Sequence, residues 1–390
     1  MERLWNNNYL KLWSANFMIF FSFMLVTPLL PLYLSEEFGA DKDTIGLVLS
    51  GYTLTALLVR PFSGFLVDSF PRRIVLLTSF FLFFLMFAGY LAATTLTLFA
   101  IVRTLHGGPM GAVTVANSTS AIDVLPSPRR AEGIGYYGLS NNLATSMAPT
   151  VGLFIYHSYS SYNFLFCVAL AVAGLGLCIN SRVRFPEKEI VPNKAPLSFD
   201  RFFLLKGWGQ GVCMMCFAFS YGVLSTYIAI YSKEMLGITT GSGLWFFVLC
   251  VGLMASRLIG ARTLRQGKIV ENASHGILLS LFGYLLFATV HSSWGYYGAA
   301  LIIGLGNGHM WPAMQTMFVN LAHANQRGTA NSTLLTSWDL GIGLGVILGG
   351  VVAEYLGYNA AFMAAWLVNV GGAVFFFLYA RGHYLINRLR

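Results

Sequence analysis

The sequence predicts an all-α membrane protein with twelve spans and both ends on the cytoplasmic side. Three observations predict it. Hydrophobic residues make up 56% of the chain and charged residues only 10%, whereas a soluble domain carries about 25% charge. The mean hydropathy is +0.66, and the apolar residues come in blocks long enough to cross a bilayer, which takes about 20 residues of helix. Lys and Arg also crowd onto alternate connections, as the positive-inside rule requires.

The blocks place spans at 11–34, 44–67, 74–94, 96–124, 133–157, 162–181, 202–231, 239–262, 270–290, 295–320, 328–354 and 358–380. The first is too long for a signal-peptide core, lacks a small-residue cleavage site and runs straight into the second. Most connections are short. The longer polar stretch, 182–201, carries Pro186, Pro192 and Pro196 among mixed charges and reads as a linker. The expected organisation is therefore 1–181, a six-helix bundle; 182–201, a cytoplasmic linker; and 202–390, a second six-helix bundle. All five cysteines fall inside apolar blocks, so no disulfide framework is implied, and Cys213-x-x-Cys216 reads as packing.

With the N-terminus inside, Arg72, Arg73, Arg129, Arg130, Arg182, Arg184, Arg262, Arg265, Arg327 and most other cations lie on one side. The outer side keeps Lys42 and Lys233. This placement accounts for the net charge of +9 without nucleic acid. A shift of 196–197 residues superposes the halves: Gly64 on Gly260, Gly107 on Gly304, Arg130 on Arg327, Asn142 on Asp339, Ala148 on Gly345 and Gly152 on Gly349. Parallel repeats about an axis along the membrane normal are a known transporter plan.

Four motifs carry chemistry. After the second span stands Gly64-Phe-Leu-Val-Asp68-Ser-Phe-Pro-Arg72-Arg73. The glycine lets helices approach, and the acid can pair with bases or face a helix N-terminus. The second-half counterpart, Gly260 to Lys268, keeps the glycine and bases but lacks the acid, so any latch built here is expected to be asymmetric. Glu132 is expected to pair with neighbouring Arg129 and Arg130. In the fourth span, Arg103 lies roughly 10 Å from the outer end at 1.5 Å per residue, where an arginine must face the protein interior, face a wet cavity, or snorkel outward. His106 is one turn away and either titrates or serves as a hydrogen-bonded structural residue. The fifth span holds Ala148-Pro149-Thr-Val-Gly152, a kink with a small residue beside it. The eleventh holds Trp338-Asp339 before a glycine run, with Asp339 roughly 16 Å deep. A midplane carboxylate either exchanges protons or packs the span. At the second helix start, Asp43 is expected to cap.

The Gly64–Arg73 loop resembles the signature loop of the major facilitator superfamily, with Pro71 where a glycine is usual. Arg103-Thr-Leu-His-Gly107 resembles that family's Arg-x-x-x-Gly motif, and Pro149 to Gly152 resembles its antiporter-associated motif with Ala148 replacing a glycine. The resemblance covers the whole chain and implies the MFS fold of two pseudo-symmetric bundles. It implies a gate of Gly64, Asp68, Arg72, Arg73, Arg130 and Glu132, a helix kink at Pro149 and Gly152, and proton coupling at Arg103, His106 and Asp339. In that fold the first, fourth, seventh and tenth helices line the cavity. This points to Asn16, Phe20, Met110, Asn117, Gln210, Phe217, Tyr221, Asn307, His309, Trp311 and Gln315, with Asn142 and Trp338 beside them. Such walls of aromatics, methionines and amides suit amphipathic ligands.

The expected function is secondary active transport: proton-coupled efflux of a small amphipathic molecule, across a bacterial inner membrane, by a monomer. The alternatives are a sugar or organic-anion importer, and a non-transporting sensor or scaffold. No GxxxxGK[ST] is present, so ATP drive is not expected. Nor is an enzyme, a metal or a cofactor expected, since no nucleophile–base pair or ligand cluster occurs at useful spacing.

Overall fold

A computed structural model describes residues 4–185, 199–237 and 243–389. The linker prolines Pro186, Pro192 and Pro196 lie outside them. Among the described residues the chain is helical, without strands. The helices are α1 (Asn7–Val26), α2 (Leu30–Phe38), α3 (Lys42–Ser69), α4 (Arg72–Ala92), α5 (Leu96–Asp123), α6 (Arg130–Tyr159) and α7 (Tyr162–Ser181). Then come α8 (Trp208–Leu236), α9 (Gly243–Arg265), α10 (Ile269–Thr289), α11 (Ser293–Leu321), α12 (Arg327–Leu356), α13 (Tyr358–Phe375) and α14 (Arg381–Asn387).

Nine helical stretches among the described residues are long and apolar enough to cross a membrane. The long helices α5, α6 and α11 fall outside that group: glycine, asparagine, serine and threonine dilute the apolar residues of α6 and α11, and α5 carries Arg103 and His106 as well. In α5 and α11 those small and polar residues are largely buried, so they face protein rather than lipid.

Helix starts follow local chemistry. Asn6, Thr95, Ser161 and Ser292 each accept a backbone N–H three residues on, satisfying a donor the helix leaves free. At α3 the cap is Asp41, which accepts from Thr44 N at 2.9 Å, and not Asp43 as the sequence suggested. The Thr44 hydrogen bonds hold the Asp41 carboxyl below the usual range. The first predicted span is broken: Pro28 lies within a 3₁₀ turn, Thr27–Leu29, that separates α1 from α2, and Pro31 lies in the first turn of α2. The last is interrupted by a π turn, Phe376–Ala380, between α13 and α14.

The chain divides into two compact units. Unit 1 takes 1–127, 140–203 and 325–332; unit 2 takes 128–139, 204–324 and 333–390. Thus the opening turns of α6 pack with unit 2, and the opening turns of α12 with unit 1. In unit 1, α5 packs between α3 and α4, and α1 lies against α7. In unit 2, α11 packs between α9 and α10, and α13 against α8.

Glycines make these approaches possible, and they repeat with the sequence. A Cβ on Gly107 would strike the Tyr52 carbonyl of α3, and one on Gly304 would strike the Leu249 carbonyl of α9. The same offset of 197 carries Gly107 onto Gly304 and Tyr52 onto Leu249. Gly152 of α6 likewise sits on the backbone of Leu25, beside the break between α1 and α2. Cys213 packs in α8 with its thiol 3.7 Å from the Gly372 carbonyl, and both Cys213 and Cys216 are free thiols.

Candidate functional site

The Gly64–Arg73 segment builds a closed charge network inside unit 1. Asp68, in the last turn of α3, accepts from Arg72 Nη1 at 3.2 Å. It also accepts from Gly328 N at 2.9 Å, Thr329 N at 2.7 Å and Thr329 Oγ1 at 3.0 Å. Gly328 and Thr329 open α12, so the carboxylate satisfies N–H groups that the helix cannot, at the positive end of its dipole. A Cβ on Gly328 would lie 2.9 Å from Asp68 Oδ1, and one on Gly64 would strike Ser332. Both glycines let α3 and the start of α12 come this close.

Arg72 lies in the first turn of α4 and Asp123 in the last turn of α5, where each opposes its own helix dipole. Their partners offset this. Arg72 Nε donates to Asp123 Oδ2 at 2.8 Å, and Arg327 Nη1 to Asp123 Oδ1 at 2.7 Å. Arg72 also donates to the Val67 carbonyl. The side chains of Arg72 and Asp68 are 5% and 9% exposed, and buried charges hold only with such additional hydrogen bonds. Asp123 and Arg327 join this network although no motif points to them. The signal was available, an acid where α5 should end in a cation. Arg73 is elsewhere: it is exposed and donates to the Ser181 carbonyl at 3.1 Å, at the end of α7.

Unit 2 contains the counterpart. Glu132, in the first turn of α6 with its side chain 1% exposed, accepts from Arg129 at 3.0 and 3.1 Å and from Arg265 at 3.2 and 2.7 Å. Arg265 stands in the last turn of α9 as Asp68 stands in the last turn of α3, one residue off the register that carries Gly64 onto Gly260, and the offset of 197 carries Glu132 onto Thr329. The repeat therefore keeps the contact and reverses its charges, with the acid moved to the helix start. This corrects the expected asymmetry, since the missing acid is supplied by Glu132. Arg265 rather than Arg130 joins Arg129 there, and Arg130 is buried nearby at 9% exposure. Glu132→Gln is expected to lower the thermal midpoint more than Arg265→Gln, because it removes the carboxylate that accepts all four arginine hydrogen bonds, while Arg265→Gln removes two of them from a side chain that is 57% exposed. The double variant should melt no lower than Glu132→Gln alone. Additive losses in a double-mutant cycle would break the pairing.

The second feature is the Arg103 cage, also in unit 1. Arg103 is 3% exposed, so it faces the protein and does not snorkel. Its guanidinium lies over Tyr52 at 4.5 Å and Phe23 at 5.2 Å, and donates to Tyr90 Oη at 3.2 Å. His106 Nδ1 shares that hydroxyl at 2.7 Å. The imidazole is fully buried against Phe83 and Phe87, its Nε2 without a hydrogen-bond partner. Asp339 is half-buried on α12 in the residues of unit 2.

The cavity candidates divide. In unit 2, Trp338 of α12 meets Trp311 of α11 edge-on at 4.8 Å and Tyr221 of α8 at 5.7 Å, a half-buried aromatic wall. Phe20 and Asn142 are half-buried on α1 and α6, and Met110, Phe217 and Gln315 are buried. Several amides instead tie helices together. Asn117 is fully buried, donating to the Leu12 carbonyl and accepting from Asn180. Asn16 donates to Ser140 Oγ at 2.8 Å. Gln210 is fully buried and donates to the Ala380 carbonyl, in the π turn. Asn307 accepts from Ser280, and His309 Nδ1 bonds the Leu305 carbonyl one turn back. Pro149 lies inside a continuous α6. Amides that read as cavity lining in sequence thus serve as interhelical bonds, a use that composition does not distinguish.

The profile of the Major Facilitator Superfamily matches residues 12–271 and 273–385. The staphylopine export protein of Staphylococcus aureus is 22% identical over 384 residues, covering 93% of both chains. The quinolone resistance protein NorA of S. aureus is 20% identical over 362 residues, covering 90% of both. Among solved structures, the human organic anion transporter MFSD10 superposes with a TM-score of 0.81 at 17% identity, over 95% of this chain and 98% of that one. The transporter FucP in its outward conformation gives 0.81 at 15%, over 97% and 99%. The helical order, the Gly64–Arg73 network and the family profile agree: the chain belongs to the Major Facilitator Superfamily and is a membrane transporter rather than an enzyme.

Proposed function

We propose that this transporter exports a small amphipathic molecule in exchange for protons. It would work by alternating access between two six-helix bundles (1–181 and 202–390), with twelve spans and both ends inside. The observation that carries the reading is the Arg103–Tyr90–His106 arrangement. Among the described residues Arg103 makes no ion pair with an acid; aromatic faces and one shared hydroxyl hold its charge. A proton on His106 would place a second positive charge on the same hydroxyl. Protonation and the caged position of Arg103 then oppose each other, which is how a proton can bias one state over another. Asp339, a carboxylate deep in α12, is the second proton site in this scheme. The names of the staphylococcal relatives, a staphylopine export protein and a quinolone resistance protein, support the outward direction. Their bacterial source supports the cytoplasmic membrane of a bacterium. The Tyr221–Trp311–Trp338 wall supports an amphipathic substrate, and the Asp68 and Glu132 networks are the cytoplasmic gate.

Everted vesicles with an acidified lumen test this, with ethidium as the probe. Ethidium is expected to accumulate in the lumen and to leak back when the gradient is collapsed, and Arg103→Leu is expected to cut the rate at least ten-fold at equal expression. Substrate and proton moving in the same direction would replace export with import. An Arg103→Leu variant with unaltered flux would remove the cage from the mechanism.

A further inference from the structure

Where α1 begins, α4 begins and α7 ends, unit 1 holds a recess of about 660 Å³ lined by Asn7, Asn8, Lys11, Arg73, Arg182 and Arg184. We infer that this recess is a binding site for a phosphate group, as a phosphomonoester or a phosphodiester. Four cations converge there, and among the described residues none of them is ion-paired to an acid. Two helix N-termini, those of α1 and α4, add the positive ends of their dipoles.

The arrangement is built rather than incidental. The Asn8 side chain bonds the Arg184 backbone twice, donating to its carbonyl at 2.8 Å and accepting from its N–H at 3.1 Å. Lys11 donates to the Arg182 carbonyl at 2.8 Å, and Arg73 to the Ser181 carbonyl at 3.1 Å. Val183 between them is buried, so Arg182 and Arg184 both turn outward. The chain leaving α7 is thereby pinned across the start of α1 with its two arginines exposed. Lys11 and Arg73 spend one donor each on backbone carbonyls and keep others for a ligand. Arginine forks match phosphate oxygens in pairs.

Nothing in this transporter's proposed cycle uses these cations: the gate runs through Arg72, not Arg73, and the proton scheme lies in the Arg103 cage. On the proposed orientation the recess opens at the inner leaflet, where basic pockets between helices take anionic headgroups. The choice of leaflet rests on the proposed topology; the phosphate chemistry does not.

The test uses the full chain in detergent, with phosphatidylglycerol, phosphatidylcholine and inorganic phosphate as separate probes. Native mass spectrometry reads retained lipid, and thermal unfolding reads phosphate. Selective retention of phosphatidylglycerol, weakened about ten-fold or more in Lys11→Gln/Arg184→Gln, supports the site with a lipid as its source. Stabilisation by inorganic phosphate, absent in the double variant and without lipid selectivity, supports the site with a soluble phosphate. Binding of neither probe, or binding of either unaltered in the double variant, overturns it. Both substituted side chains lie at the surface, and the thermal midpoint without ligand reports whether the variant is folded. Ethidium transport by the same variant separates this proposal from the export reading: its loss of phosphate binding is expected to leave proton-driven accumulation in place.

Discussion

Asp68→Ala is expected to abolish net transport while leaving the protein in the membrane. The carboxylate accepts from two backbone N–H groups at the head of α12, from Thr329 Oγ1, and from Arg72. Its removal leaves those N–H groups and part of the Arg72 guanidinium buried without a partner. Breaking a buried ion pair by deleting one side costs about 3–5 kcal/mol. Even about 3 kcal/mol, spent on one conformation alone, shifts a two-state equilibrium by roughly a hundred-fold. On the proposed reading the state it stabilises is the one closed at the cytoplasmic side. Cysteine labelling from that side should therefore rise as transport falls. Asp68→Asn keeps one acceptor oxygen of two and loses the charge, so it should fall between. If Asp68→Ala transports normally with unaltered labelling, the network is not the gate.

Gly107→Val is expected to cost the fold itself. A Cβ at Gly107 meets the Tyr52 carbonyl and lies 2.8 Å from Ala56 N. Both are backbone atoms of α3, so no side chain can swing away and the helices must separate. Overpacking costs about 1–3 kcal/mol and sometimes more, and here it acts along a whole helix contact. Gly304→Val should do the same against the Leu249 carbonyl. Gly108→Ala is the control: its Cβ would find only side-chain atoms of Val59 and Thr55 at 3.6 and 3.7 Å, ordinary contact, and alanine is the better helix former. Monodisperse yield and thermal midpoint should drop for Gly107→Val and Gly304→Val and hold for Gly108→Ala. Equal behaviour of all three would remove the glycines from the packing.

Much was legible in the sequence because its physics is local or repetitive. Blocks of apolar residues report what can lie in lipid, without reference to any partner. The offset of about 197 is visible in glycines because a close helix contact tolerates few other residues, and the same offset reappears in the contacts of Gly107 and Gly304. The Gly64–Arg73 loop was legible because its acid and bases sit within one turn of chain. Where partners came from far along the chain, spacing said nothing. Asp68 finds Thr329, 261 residues away, and Glu132 finds Arg265, 133 residues away. From the loop alone the second latch lacked an acid, although the acid was present in another segment.

The sequence by itself determined a helical membrane transporter, its repeat, and the short list of charges that demand an explanation. The tertiary structure alone decided which of those charges meet. It turned Asn117 and Gln210 into ties between helices, sent Arg73 to the end of α7, and enclosed Arg103 with Tyr90 and His106. The reason is physical. A residue's depth and cost in the membrane follow from its position in its own span, but what offsets that cost is a neighbour on another helix, and neighbours are set by packing.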